Sequence, residues 1–177
     1  MMKRVFLLAV FMVVMFSLKS QMTFQSENVK LYFTFDSISN VIHLHITNLS
    51  DKIMYLNSTR TGEYVNYMSN NILKGGYRIC MCIEGHRVDL ARPSEGDRLS
   101  FNRILSKSTY ELDVCCSDKS KKIKSSVFKL LFTLEYLLLS EDQYIEDMMR
   151  NEDLMKYLKE HHYKIHEIEI EGTMSFE

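Results

Sequence analysis

Apolar and polar residues alternate with period two along most of this chain, the pattern of strands with one face buried. Val29, Leu31, Phe33 and Phe35 alternate with Lys30, Tyr32 and Thr34. A turn cluster at 36–40 follows, and alternation resumes over 41–47, with Ile42, Leu44 and Ile46 on one face and His43 and His45 on the other. Asn48-Leu49-Ser50-Asp51 interrupts the run before a short strand at 53–56. Residues 57–76 are polar, rich in Asn, Ser and Tyr, and weakly patterned, so a long loop is expected, with at most one short helix or edge strand and a turn at Gly75-Gly76. Beyond it Tyr77, Ile79, Met81 and Ile83 oppose Arg78, Cys80, Cys82 and Glu84, and a short return runs through Val88 and Leu90. Two further strands are predicted at 99–105 and 109–116. In the second, Tyr110, Leu112 and Val114 face away from Thr109, Glu111, Asp113 and Cys115.

Residues 127–138 form a long apolar run with Phe128, Leu130, Phe132, Leu134, Tyr136 and Leu138 on one face, while Leu131 and Leu137 interrupt the other. A strand apolar on both sides belongs in the middle of a sheet. The period then changes to that of a helix: Tyr144, Ile145, Met148, Met149, Met155 and Leu158 recur at helical intervals, and Ser140 with Gln143 has the capping-box spacing. A helix over 141–160 is predicted. A last strand over 163–173 carries Ile168 and Ile170 between glutamates, and its change of face after Ile165 predicts a bulge. Seven to eight short strands with one late helix before the final strand point to a mainly β fold, an antiparallel β-sandwich.

The first twenty residues fall outside that pattern. Met1-Met2-Lys3-Arg4 is basic, Val5 to Phe16 is an unbroken run of 12 apolar residues, and Ser17-Leu18-Lys19-Ser20 is a polar exit. This is the layout of a signal peptide over 1–20, and the apolar run is shorter than the roughly 20 residues that span a bilayer. A retained membrane anchor is the alternative. Cleavage before Gln21 resembles that of secreted Bacteroidetes-type bacterial proteins and leaves one domain, 21–177. Removing Lys3, Arg4 and Lys19 takes the net charge from −1 to −4. The near balance of 22 basic and 23 acidic residues excludes a strongly basic nucleic-acid binder, and 46% hydrophobic content excludes a disordered chain.

The segment Val41-Ile-His-Leu-His-Ile-Thr-Asn-Leu-Ser-Asp-Lys-Ile-Met-Tyr-Leu56 resembles the strand, Asn-containing turn and strand of immunoglobulin-like sandwiches in secreted bacterial proteins. The stretch 101–114, with Ile104-Leu105-Ser106 and Tyr110-Glu-Leu-Asp-Val114, is similar to a later strand pair of the same domains. The resemblance implies an immunoglobulin-like sandwich with an adhesive or accessory role and no shared activity. The helix before the last strand departs from that family's simple pattern.

Four cysteines stand as Cys80/Cys82 and Cys115/Cys116, an even count that favours disulfides in an oxidising compartment. Cys80 and Cys82 share a strand face about 6–7 Å apart, too far for an easy mutual bond, while Cys115 and Cys116 point oppositely. A bridge from Cys80 or Cys82 to Cys115 is therefore expected, the alternative being four free thiols packed as small apolar groups. His43 and His45 share the polar face of their strand. Beside Cys80 and Cys82 they would complete a tetrahedral zinc or copper(I) site, and without that adjacency they are solvated imidazoles. His161, His162 and His166 have no ligand spacing and suit the end of a helix. Asn48-Leu-Ser50 and Asn57-Ser-Thr59 match the glycosylation sequon.

No Gly-x-Ser-x-Gly or His-Glu-x-x-His motif is present, and Ser126-x-x-Lys129 lies on a strand pattern. The chain is therefore expected to be no enzyme and to need no cofactor. The leading expectation is a secreted or periplasmic binding module for a protein or glycan, with Tyr64 and Tyr67 in a contact loop. The alternatives are a structural partner in an envelope assembly docking through its helix, and a metal-binding protein.

Overall fold

The computed structural model describes residues 19–36, 38–39, 41–58, 63–68, 72–78, 98–115, 127–140, 145 and 148–175. Over these residues it is mainly β, a sandwich with one described helix late in the chain. The described strands are β1 (Lys19–Gln25), β2 (Val29–Asp36), β3 (Val41–Asn48), β4 (Ile53–Asn57), β5 (Glu63–Met68), β6 (Ile72–Tyr77), β7 (Arg98–Ile104), β8 (Thr109–Cys115), β9 (Val127–Leu139), β10 (Met148–Arg150) and β11 (His166–Ser175). The helix α1 spans Asn151–Glu160.

One sheet has the order β1-β2-β3-β8; the other runs β10-β7-β4-β9-β6-β5, with β11 also paired to β9. The alternation places Val29, Leu31, Phe33, Phe35, Ile42, Leu44 and Ile46 on the inner face of the first sheet. Met54, Leu56, Tyr77, Ile104, Ile170 and the even-numbered side chains Phe128 to Tyr136 meet them from the second. Edge-to-face rings lock the two layers, with Phe33 against Phe132 and Phe35 against Phe128, each pair 5.1 Å between centroids.

The apolar character of both faces of β9 has a direct structural cause. Its Leu137 and Leu139 enter a second cluster with Tyr55, Leu99, Phe101, Ile145, Leu154 and Leu158, formed where α1 covers the sheet. Glu152 and Asp153 in the first turn and Lys159 in the last suit the helix dipole. At the C-terminus the Tyr163 amide donates to the Leu158 carbonyl at 2.9 Å and the His162 amide to that of Lys159 at 3.3 Å. This is a Schellman ending in which His162, at φ 57°, holds the left-handed position that glycine usually takes.

Several expectations are revised. The described strands number eleven rather than seven or eight. The helix begins at Asn151, not 141, because Met148, Met149 and Arg150 pair with Ser100, Leu99 and Arg98 on β7, and edge pairing outweighs the helical period there. Residues 57–76 are not mainly loop: β5 and β6 form an antiparallel hairpin. Nor is Gly76 in a turn. It sits in β6 at φ 156°, opposite Thr133, where a Cβ would lie 2.0 Å from the Thr133 carbonyl oxygen. The sheet is not wholly antiparallel, since β6 pairs β9 in parallel. The last strand has no bulge: it starts at His166 and pairs without interruption to Ser175, and Ile165 packs in the second cluster before the strand begins. The predicted strand at 77–84, apart from Tyr77 and Arg78, lies outside the described residues, as do 141–144 of the predicted helix.

Candidate functional site

The outer face of the first sheet collects the polar residues of its alternating strands in cross-strand rows. Register places Thr34, His43 and Asp113 in one row, Tyr32, His45 and Glu111 in the next, and Lys30, Thr47 and Thr109 in a third. Gln21, Thr23 and Gln25 extend the rows on β1. Neighbouring members contact one another, by hydrogen bonds or, for His45 and Glu111, as an ion-pair contact. His43 Nδ1 is 2.6 Å from Asp113 Oδ1, and His45 Nδ1 is 3.2 Å from Glu111 Oε1. Thr47 and Thr109 share a hydroxyl hydrogen bond of 2.9 Å, and the Tyr32 hydroxyl donates to Gln21 at 3.0 Å. The Tyr32 and His45 rings lie 5.6 Å apart. Thr34, His43, His45, Glu111 and Asp113, with Leu44 and Leu112 between them in β3 and β8, line an open depression of about 230 Å³.

A carboxylate can only accept, so the hydrogen of the His43–Asp113 contact sits on Nδ1. The imidazoles are each about one-third exposed, while Asp113 and Glu111 are largely exposed at 69% and 73%. The face is accessible, yet its rings are oriented. At the β2–β3 turn, the Ser39 hydroxyl and the Ile38 amide donate to the Asp36 carboxylate at 2.7 and 2.9 Å. Those bonds hold its carboxyl below the usual carboxylate value.

Both edges of β3 are taken, by β2 and β8. Cys80, Cys82 and Cys116 lie outside the described residues, and Cys115 is the last residue of β8, opposite Val41. Among the described residues no three His, Cys, Asp or Glu side chains converge as a metal site. Tyr64 and Tyr67 belong to strand β5 rather than to a loop. The apolar face of α1 is buried in the second cluster, through Leu154 and Leu158. Among the described residues no helix is long and apolar enough to cross a membrane.

Neither sequon presents an available asparagine. Asn48 is fully buried, and its Nδ2 lies 2.7, 3.1 and 3.2 Å from the carbonyls of Lys52, Ile104 and Leu105. Its Oδ1 accepts from the Ser50 amide and hydroxyl at 3.0 and 2.7 Å. Asn57, also buried, donates to the Arg78 carbonyl at 2.8 Å. Both side-chain nitrogens serve the fold.

Glu111 and Asp113 were separable in the sequence as outward residues of β8, but nothing local indicated their pairing with His45 and His43. That pairing joins residues 66 and 70 positions apart, and strand adjacency over such distances is set by the assembled sheet. No family model, curated protein or solved structure matches the chain.

Proposed function

We propose that this chain is an exported, non-catalytic binding module that holds a hydroxyl-rich glycan against the outer face of the β1-β2-β3-β8 sheet. The observation that carries the reading is the open depression whose imidazoles and carboxylates are already oriented by one another. Carboxylate and hydroxyl acceptors suit sugar hydroxyls, and the Tyr32 ring beside His45 offers a surface for the apolar face of a sugar. Because these groups are exposed, exchanging one partner for a ligand hydroxyl strands no buried polar atom.

Two other features support the assignment. The segments that resemble immunoglobulin-like domains form β3–β4 and β7–β8, each pair crossing from one sheet to the other. We take the chain as an immunoglobulin-like accessory sandwich on that basis. The basic and apolar layout of residues 1–20 supports export, and cleavage after Ser20 would leave Gln21 to Gln25 of β1 paired with β2. With the apolar face of α1 packed in the second cluster, we favour the sheet face over the helix as the docking surface.

The test is retention of the processed chain on a panel of immobilised plant, mucin and bacterial cell-wall polysaccharides. We expect at least one to be bound, and Tyr32→Ala or Glu111→Ala to weaken it about tenfold, the worth of one charge-assisted hydrogen bond or ring contact. Unchanged binding by both variants, or no binding to any of the panel, would overturn the reading. Intact mass of protein from the cell envelope tests export, with Gln21 expected as the first residue.

A further inference from the structure

We propose that His43 and His45 form a two-imidazole clip for a divalent transition-metal ion of the zinc, nickel and copper class, with Asp113 and Glu111 as the carboxylates that aim the rings. The inference deepens the binding assignment of the same face and rests on it. It needs no cysteine and differs in that from the His/Cys site that the sequence offered as an alternative.

Three observations lead to it. His43 and His45 are two apart on one strand, so both side chains leave the same face about 7 Å apart, within reach of a shared ion if the rings lean together. Each ring has its Nδ1 beside a carboxylate of β8, Asp113 for His43 and Glu111 for His45. The His43–Asp113 hydrogen bond puts a hydrogen on Nδ1 of His43, which in the neutral ring leaves the lone pair on Nε2, and the Nε2 of neither ring has a partner among the described residues. An imidazole whose one nitrogen donates to a carboxylate while the other is open is the usual state of a metal-ligating histidine, because the carboxylate fixes the tautomer and raises ligand basicity.

The depression supplies the third observation, since it holds both histidines and both carboxylates and opens to solvent. Two protein ligands leave coordination positions for water or for hydroxyl and carboxylate donors of a bound glycan. Such an ion exchanges readily and is not a structural centre of the closed four-ligand kind. Imidazole nitrogen suits zinc, nickel and copper, whereas calcium and magnesium would demand oxygen ligands.

The experiment adds Ni²⁺ alone to the isotopically labelled full chain and follows amide resonances. Broadening should appear first at residues 43–45 and 111–113, and diamagnetic Zn²⁺ should reverse it. His43→Gln and His45→Gln, which keep polar side chains on an exposed face, should abolish it. Asp113→Asn should weaken affinity 10–100-fold, the usual effect of removing such an orienting partner. Broadening confined to other residues, no broadening at millimolar metal, or unchanged behaviour in both glutamine variants would overturn the proposal. Repeating the polysaccharide panel with and without a chelator separates the two readings. Glycan binding at this face with no metal response defeats the metal clip alone, and loss of both defeats the face as a binding site.

Discussion

Asn48 joins two corners of the sandwich through one buried amide: the β3–β4 turn through Lys52 and Ser50, and the β7–β8 turn through Ile104 and Leu105. Asn48→Ala leaves those buried backbone groups without their partner, and urea unfolding should show a loss of about 2–4 kcal/mol. A loss under about 0.5 kcal/mol, the level of an ordinary surface change, would refute that role. The sequence marked Asn48 as a turn residue and as a sequon, but burial decides between a cap and an acceptor, and burial depends on Ile104, more than fifty positions away. His166 illustrates the same dependence. Its ring stacks on Tyr136 at 5.1 Å, and burial, aided by Lys164 and Lys52 against the opposing Glu27, lowers its affinity for a proton. The unfolded chain binds that proton more tightly. Stability is therefore complete above the ordinary histidine value near pH 6.5 and falls as pH drops through it toward the folded value. Urea midpoints on either side of that range should differ in the parent protein and converge in His166→Gln. Asp36 acts in a separate window, since its lowered carboxyl loses its contribution only as pH falls through the carboxylate range near 4.

Among the elements, strands with clean alternation were legible: β2, β3, β4, β7, β8 and β9 all fall within a residue or so of the pattern, because one buried face per strand writes period two into the sequence. The central position of β9 was legible as well, from leucines on both faces. What the pattern did not show was pairing that overrides it. Met148 and Met149 continue a helical period yet pair with β7. Gly75 and Gly76 have the composition of a turn, yet they bring β6 against β9. Gly76 is the sharper case, because its φ of 156° and the Thr133 carbonyl oxygen standing where a Cβ would go leave no room for a side chain. Gly76→Ala should destabilise by about 2–3 kcal/mol or more through strain and displaced strands. Hydrogen exchange should show the loss of protection concentrated in β5, β6 and the first half of β9. Gly172 contrasts with it: a Cβ there meets the flexible sulfur end of Met22, which can move aside, so Gly172→Ala should cost less.

In the whole molecule, β9 is shared by two cores. One face closes the sandwich against β2 and β3, and the last residues of the other support α1. That arrangement makes α1 a brace packed through Leu154 and Leu158, and the outer side of the β1-β2-β3-β8 sheet is an accessible polar face. The ingredients of that face were visible one strand at a time, in His43 and His45 and in Glu111 and Asp113. Their meeting was not, because it depends on β8 returning beside β3 after the chain has crossed to the other sheet and back. The measurement that bears most directly on the account is an amide chemical-shift map of the processed chain titrated with the polysaccharide it retains. The account predicts the largest shifts at 32–34, 43–45 and 109–113, with β5, β6 and β11 little affected. Shifts confined to the β5–β6 hairpin around Tyr64 and Tyr67, or to β11, with the β3–β8 face unmoved, would contradict it.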